Sequence, residues 1–168
     1  MSKRAAVSYE TTHFVRDTCL CFQAQRAARS LARRFDEVLR PLGLTNGQFS
    51  LMNAVNRPAP APLGAIARLL SLDRTTLTAA LKPLERRGLI AVAGDPRDRR
   101  SRLLALTPAG QALLAEAVPL WRRAHAALEK DLDDATALRR GLATLAETAR
   151  NGSRDAGQKG DATRAGSR

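Results

Sequence analysis

From Thr11 to Arg40 the apolar and small positions recur at steps of three and four, at Cys21, Ala24, Ala28, Leu31, Phe35, Val38 and on to Leu42. This pattern predicts one long amphipathic helix. Pro41 ends it, and Leu42-Gly43-Leu44 turns the chain. Thr45, with Gln48 three residues later, has the form of a capping box opening a second helix through Leu51, Met52 and Val55. In Arg57-Pro58-Ala59-Pro60-Ala61-Pro62 each proline biases its predecessor away from helix, so the stretch reads as a stiff extended connector. A short third helix follows, carrying Ile66, Leu69 and Leu70.

Ser71-Leu72 predicts a tight turn, and Asp73 the N-cap of a fourth helix whose inward face is Leu77, Leu81 and Leu84, closed by Gly88. Pro83 lies inside that helix and should distort its last two turns, since a proline in a regular interior costs up to about 3 kcal/mol. Leu89-Ile90-Ala91-Val92-Ala93 is strand-like, Gly94-Asp95-Pro96 turns, and Arg102-Leu103-Leu104-Ala105-Leu106 returns beside it. The result is a β-hairpin with the basic tip Arg97-Asp98-Arg99-Arg100. Thr107-Pro108, an N-cap with proline at the first helical position, opens a fifth helix with Leu113, Ala117, Leu120, Trp121, Ala124 and Leu128 on one face. Asp133 or Asp134 caps a sixth, with Leu138, Leu142 and Leu145 in stripe. From Asn151 onward no apolar residue larger than Ala remains, so this tail cannot bury enough surface to order itself.

Charge sharpens the picture. Lys and Arg number 28 against 16 Asp and Glu, a formal net charge of +12 that points to a polyanionic partner. With one Trp, one Tyr and four Phe the chain lacks the aromatic platforms of single-strand and RNA binders, so duplex DNA is the favoured polyanion. No apolar run approaches the ~18 residues of a membrane span and no signal-peptide core follows the N-terminal charges, so a cytoplasmic protein without membrane association is expected. Cys19 and Cys21 are too few and too close for a disulfide framework, and at two helical positions apart they point about 200° away from one another. Neither a metal site nor a cofactor is expected. Without a phosphate loop, a paired-carboxylate cleft or an activating base beside a thiol, an enzyme is not expected either.

Helix, tight turn, helix and hairpin together make a mainly α fold with a small β-hairpin wing: a winged helix-turn-helix with N- and C-terminal dimerisation helices. The capped start Asp73-Arg74-Thr75-Thr76 can enter a major groove, with Thr78 and Lys82 on the same outward side. The hairpin tip can lie along the adjacent minor groove, where arginine is favoured. The candidate DNA-binding residues are therefore Arg74, Thr75, Thr76, Thr78, Lys82, Arg97, Asp98, Arg99 and Arg100, with Arg102 beside them. Arg86 and Arg87 read as a solvated helix end near the phosphates. The apolar stripes of the first, fifth and sixth helices exceed what one lobe can cover, which favours a symmetric dimer meeting half-sites about 34 Å apart.

Five blocks resemble the MarR family of winged helix regulators: Arg40-Pro41-Leu42-Gly43-Leu44-Thr45, Leu72-Asp73-Arg74-Thr75-Thr76-Leu77, Leu84-Glu85-Arg86-Arg87-Gly88-Leu89, Asp95-Pro96-Arg97-Asp98-Arg99-Arg100 and Leu106-Thr107-Pro108-Ala109-Gly110. The resemblance implies a homodimer built on the first and last two helices that represses genes from a pseudopalindromic operator. It also implies that Asp98 and Arg100 read DNA from the wing, and that a small aromatic or phenolic acid releases the DNA. On this organisation residues 1–10 are an N-terminal arm and 11–150 the MarR-type domain. Its dimerisation helices fall at about 11–40 and 108–150, its winged helix-turn-helix at about 45–107, and 151–168 is a disordered basic tail.

For an acidic effector, His13, Arg16, Arg122 and His125 are the candidate polar groups, beside Phe49 and Met52, with Trp121 in the core or the pocket wall. Leu20-Cys21-Phe22 resembles the reactive-cysteine segment of the family's peroxide-sensing branch. The two tyrosines that support the thiol there, four and fourteen positions on, are here Gln25 and Phe35. A packed core thiol is the reading that the apolar stripe around Cys21 favours, with peroxide sensing as an alternative. An architectural DNA-binding protein without effector is a second alternative, for which charge alone would suffice.

Overall fold

A computed structural model describes residues 6–165; the side chains of Arg99 and of residues 152–165 lie outside what it describes. The chain forms two compact units, residues 1–124 and 125–168.

In the first unit the expected long N-terminal helix is two helices, α1 (Tyr9–Thr18) and α2 (Leu20–Leu39). The break is at Cys19, whose backbone is extended and whose sulfur accepts the Phe22 N–H at 3.5 Å, capping α2. No glycine or proline marks the spot. A single 3-10 turn, Arg40–Leu42, leads to α3 (Asn46–Val55), which opens with the capping box of Thr45 and Gln48 in both directions. Asp36 of α2 also accepts the first N–H of α3, from Asn46, at 2.6 Å.

The proline-rich connector ends in a strand, β1 (Ala61–Pro62), that the sequence reading did not anticipate. It leads directly into α4 (Leu63–Leu69) and then α5 (Arg74–Arg86), which is capped by Asp73 as expected. α5 runs on through Pro83 as one helix; the carbonyl deprived of its donor is that of Ala79, an exposed residue. The wing is β2 (Ile90–Asp95) and β3 (Asp98–Leu106), antiparallel, with Ile90 opposite Leu106, Val92 opposite Leu104, and an irregularity at Gly94 and Asp95. β1 pairs with the far side of β3, so the sheet has three strands in the order β1-β3-β2.

Three chain reversals here close alike. The N–H groups of Gly43 and Leu44, of Ser71 and Leu72, and of Gly88 and Leu89 each reach back to the last turn. The residue at the left-handed position is glycine at 43 (φ 62°) and 88 (φ 67°) but serine at 71 (φ 53°).

α6 (Pro108–Glu129) begins where the wing ends. The Thr107 hydroxyl accepts the Gly110 N–H at 3.0 Å and donates to the Gly88 carbonyl at 2.6 Å, which ties both feet of the wing to one point. The core gathers Leu39, Phe49, Met52, Val55, Ile66, Leu77, Leu81, Leu84, Ile90, Leu104 and Leu114, all buried. Of α2 only Phe35 and Leu39 reach it.

In the second unit Asp134 caps α7 (Ala135–Ala165) through the Ala137 N–H. Glu129 pairs with Arg139 and approaches Nδ1 of His125 at 3.5 Å. α7 carries helical backbone past Asn151 and through Gly152, Gly157 and Gly160, where composition predicts none; no proline falls in 135–165. Residues 166–168 of the expected tail lie outside the described residues. Among the described residues no helix is long and apolar enough to cross a membrane.

Candidate nucleic-acid interface

α5 buries Leu77, Leu81 and Leu84, which turns Thr75, Thr78 and Lys82 outward and leaves Arg74 on the flank at its exposed start. Asp73 holds this start in shape. One carboxylate oxygen accepts the Thr76 N–H at 2.8 Å and the other the Thr76 hydroxyl at 2.6 Å. Those bonds, the hydroxyl first, keep the Asp73 carboxyl below the usual carboxylate range. The Thr78 hydroxyl donates to the Arg74 carbonyl at 2.7 Å. Two hydroxyls singled out in the sequence thus spend their protons on the helix itself, and Arg74, Thr75 and Lys82 are the outward groups without such a bond.

At the wing tip both aspartates shape the turn. Asp95 accepts the Arg97 N–H and Asp98 the Arg100 N–H, each at 2.9 Å. Arg97, Asp98 and Arg100 are exposed, and the Arg99 side chain lies outside the described residues. Where α4, α5 and the wing meet, Leu63, Gly64, Arg74, Arg100, Ser101 and Arg102 line a cleft of about 50 Å³.

Arg87 is exposed at the helix end, as expected, but its guanidinium is engaged. Its guanidinium donates to the carbonyls of Gly43 at 2.7 Å and Leu42 at 3.3 Å, bridging the end of α5 to the turn before α3. Nothing local in the sequence signals a contact across 44 residues.

Of the six candidate effector residues one, Phe49, lines a groove of the first unit. Phe49 stacks on Trp121 with ring centroids 6.2 Å apart, and both line a groove of about 440 Å³ with Asn46, Ser50, Asn53 and Val118. Met52 is completely buried in the core and forms no wall of it. His13 lies against Tyr9 on α1, and Arg16 is paired with Asp17 at 2.7 Å. Arg122 is exposed on α6, and His125 belongs to the second unit. Cys21, expected in a packed stripe, is exposed in this chain because the first half of α2 extends beyond the core; the Gln25 amide donates to its sulfur at 3.1 Å.

A capped helix with an outward polar face, preceded by a tight helix-helix turn and followed by an arginine-tipped hairpin, defines a winged helix-turn-helix DNA-binding protein. Residues 44–101 match the profile of the MarR family. The chain is 36% identical over 95 residues to the transcriptional activatory protein BadR of Rhodopseudomonas palustris, covering 55% of this chain and about half, 54%, of that protein. It is 28% identical to the organic hydroperoxide resistance transcriptional regulator of Bacillus subtilis, over 81% of this chain and 92% of that one. Among solved structures, the M. tuberculosis transcriptional regulator MosR in complex with DNA superposes with a TM-score of 0.74 at 37% identity, covering 79% of this chain and 97% of that one. The chain belongs to the MarR family of DNA-binding transcriptional regulators.

Proposed function

We propose that this protein is a homodimeric repressor that binds a pseudopalindromic operator and leaves it when a small aromatic ligand binds. The observation that carries the reading is the α5 start, rigidly capped by Asp73, on the same unit as an arginine-tipped wing. In this reading α5 enters the major groove with Arg74, Thr75, Thr76, Thr78 and Lys82, and the wing follows the minor groove with Arg97, Asp98, Arg99 and Arg100. Exposed apolar side chains on α1 and α2, among them Tyr9, Phe14, Val15, Leu20 and Phe22, support a dimer, as do Leu138 and Leu142 on α7. The Phe49 and Trp121 groove supports an aromatic ligand. An acid would draw on cations outside that lining, with Arg122, next to Trp121 in sequence, the first candidate.

The test is fluorescence-anisotropy binding, at about 150 mM salt, to duplexes selected by the protein from a random pool, followed by aromatic acids and phenols. Tight binding that resists scrambled competitor and is abolished by one compound is expected. Weak and equal binding to all duplexes would leave an architectural protein instead.

A thiol-responsive regulator is a second reading, favoured by the exposure of Cys21 and by the Gln25 amide at the position where the peroxide-sensing branch has a tyrosine. Release of the operator by an organic hydroperoxide, lost in Cys21→Ser, is its signature.

A further inference from the structure

The cleft between α4, α5 and the wing gathers more positive charge than the protein compensates. Arg74, Arg100 and Arg102 line it with the Ser101 side of β3. Arg68 joins them over Gly64: a methyl group on that glycine would stand 3.3 Å from Nη2 of Arg74 and 3.8 Å from Nη1 of Arg68. Among the described residues no carboxylate pairs with any of these four arginines. The Arg74 and Arg68 guanidiniums meet over Gly64, and Arg100 and Arg102 line the same hollow; like charges so placed repel one another until an anion enters. About 50 Å³ is room for one tetrahedral oxyanion group, whose oxygens suit the planar donor fork of arginine.

We propose that this cleft is a phosphate clamp in which the recognition helix, through Arg74, and the wing, through Arg102, grip one and the same phosphate group. Gly64 is the floor whose missing side chain lets the arginine heads approach. The inference rests on the DNA-binding reading for its source of phosphate, a backbone phosphodiester; inorganic phosphate shares the chemistry. The clamp fixes the register of the protein on the duplex without reading sequence. It makes Arg74 a positioning contact and leaves base discrimination to Thr75, Lys82 and the wing tip. It also locks wing and helix to a common point on the DNA, so that neither element adjusts independently of the other.

The experiment replaces each phosphate of a selected half-site, one at a time, by a neutral methylphosphonate and measures affinity for the wild type, Arg74→Gln, Arg102→Gln and the double variant. One position at which the wild type loses about tenfold should lose only about threefold in each single variant and nothing in the double variant. Gly64→Ala, which crowds Arg74, should lower the penalty at that same position. Sensitivity lost at two different positions, or at none, overturns the clamp. In a parallel arm without DNA, inorganic phosphate is titrated at constant ionic strength while the arginine Nε–H signals are followed by NMR. Joint shifts of the Arg74 and Arg102 signals, absent when chloride replaces phosphate, support the clamp and identify free phosphate as a second ligand. Should no duplex bind specifically, the regulator reading fails by itself, and this arm still judges the cleft: absence of joint shifts then overturns it.

Discussion

Gly88 and Gly110 stand on either side of the wing, and they are glycines for different reasons. Gly88 needs its left-handed backbone, at φ 67°, but has open space where a side chain would go. Gly110 has an ordinary helical backbone, and a methyl there would overlap the Leu89 carbonyl. Gly88→Ala should therefore cost about 1 kcal/mol of stability, and Gly110→Ala at least about 3 kcal/mol, in denaturant unfolding of the two variants. Ser71 holds the position that glycine holds in the two sister turns, at φ 53°. Ser71→Gly should raise stability by about 0.5–1 kcal/mol, the strain relieved less the added freedom of the unfolded chain. Asp73 carries a pH signature. A carboxyl whose pKa is lowered on folding stabilises only while ionised. The melting temperature of Asp73→Ala should thus lie below the wild type by a constant margin down to about pH 4. The margin should shrink at lower pH as the folded protein takes up the proton, which melts followed by circular dichroism across the acid range would show.

At the scale of elements, the parts legible in the sequence are those whose signals are local. The capping box at Thr45, the Asp73 cap, the Thr107-Pro108 start of α6 and the alternating strands of the wing each fall within a few residues, and each stands where the spacing predicts. What was not legible depends on distant or unusual partners. The α1/α2 break is made by a cysteine sulfur acting as a cap, a role no propensity assigns to cysteine. β1 is two residues long, one of them a proline, and exists only because β3 runs past it. The outward face of α5 could be read from its period, but not that Thr76 and Thr78 turn their hydroxyl protons inward. The Arg87 bridge spans separate blocks of the chain for the same reason. Together with the Asp36 bond to Asn46, it holds the turn between α2 and α3 from two sides and ties α5 to it. Arg87→Met should weaken specific operator binding by about tenfold while leaving the slope of affinity against salt unchanged, since the residue orients α5 and is not itself a phosphate contact. Arg87→Lys, which keeps one donor, should recover part of the loss.

For the molecule as a whole, the net charge of +12 and the uncovered apolar faces pull toward two different partners. Charge gives attraction to any duplex, steeply weakened by salt. On the proposed dimer, the apolar faces of α1 and α2 would give self-association, which salt should not weaken. Phe14→Glu, on a residue two-thirds exposed in this chain, should shift the protein toward monomer in sedimentation equilibrium. Its binding to random DNA should persist, while binding to a two-half-site operator should fall at least about tenfold as the second recognition helix is lost.

The Thr107 hydroxyl, which joins the Gly88 carbonyl to the start of α6, closes the wing into a loop sealed at its base. Among the described side chains from Gly94 to Arg100 none enters the core, so changes of length or sequence at the tip should leave what folds beneath it undisturbed. On the proposed reading, the share of operator preference that the wing carries is an evolvable trait: lineages could adjust it by editing this tip, at little hazard to the scaffold that presents it.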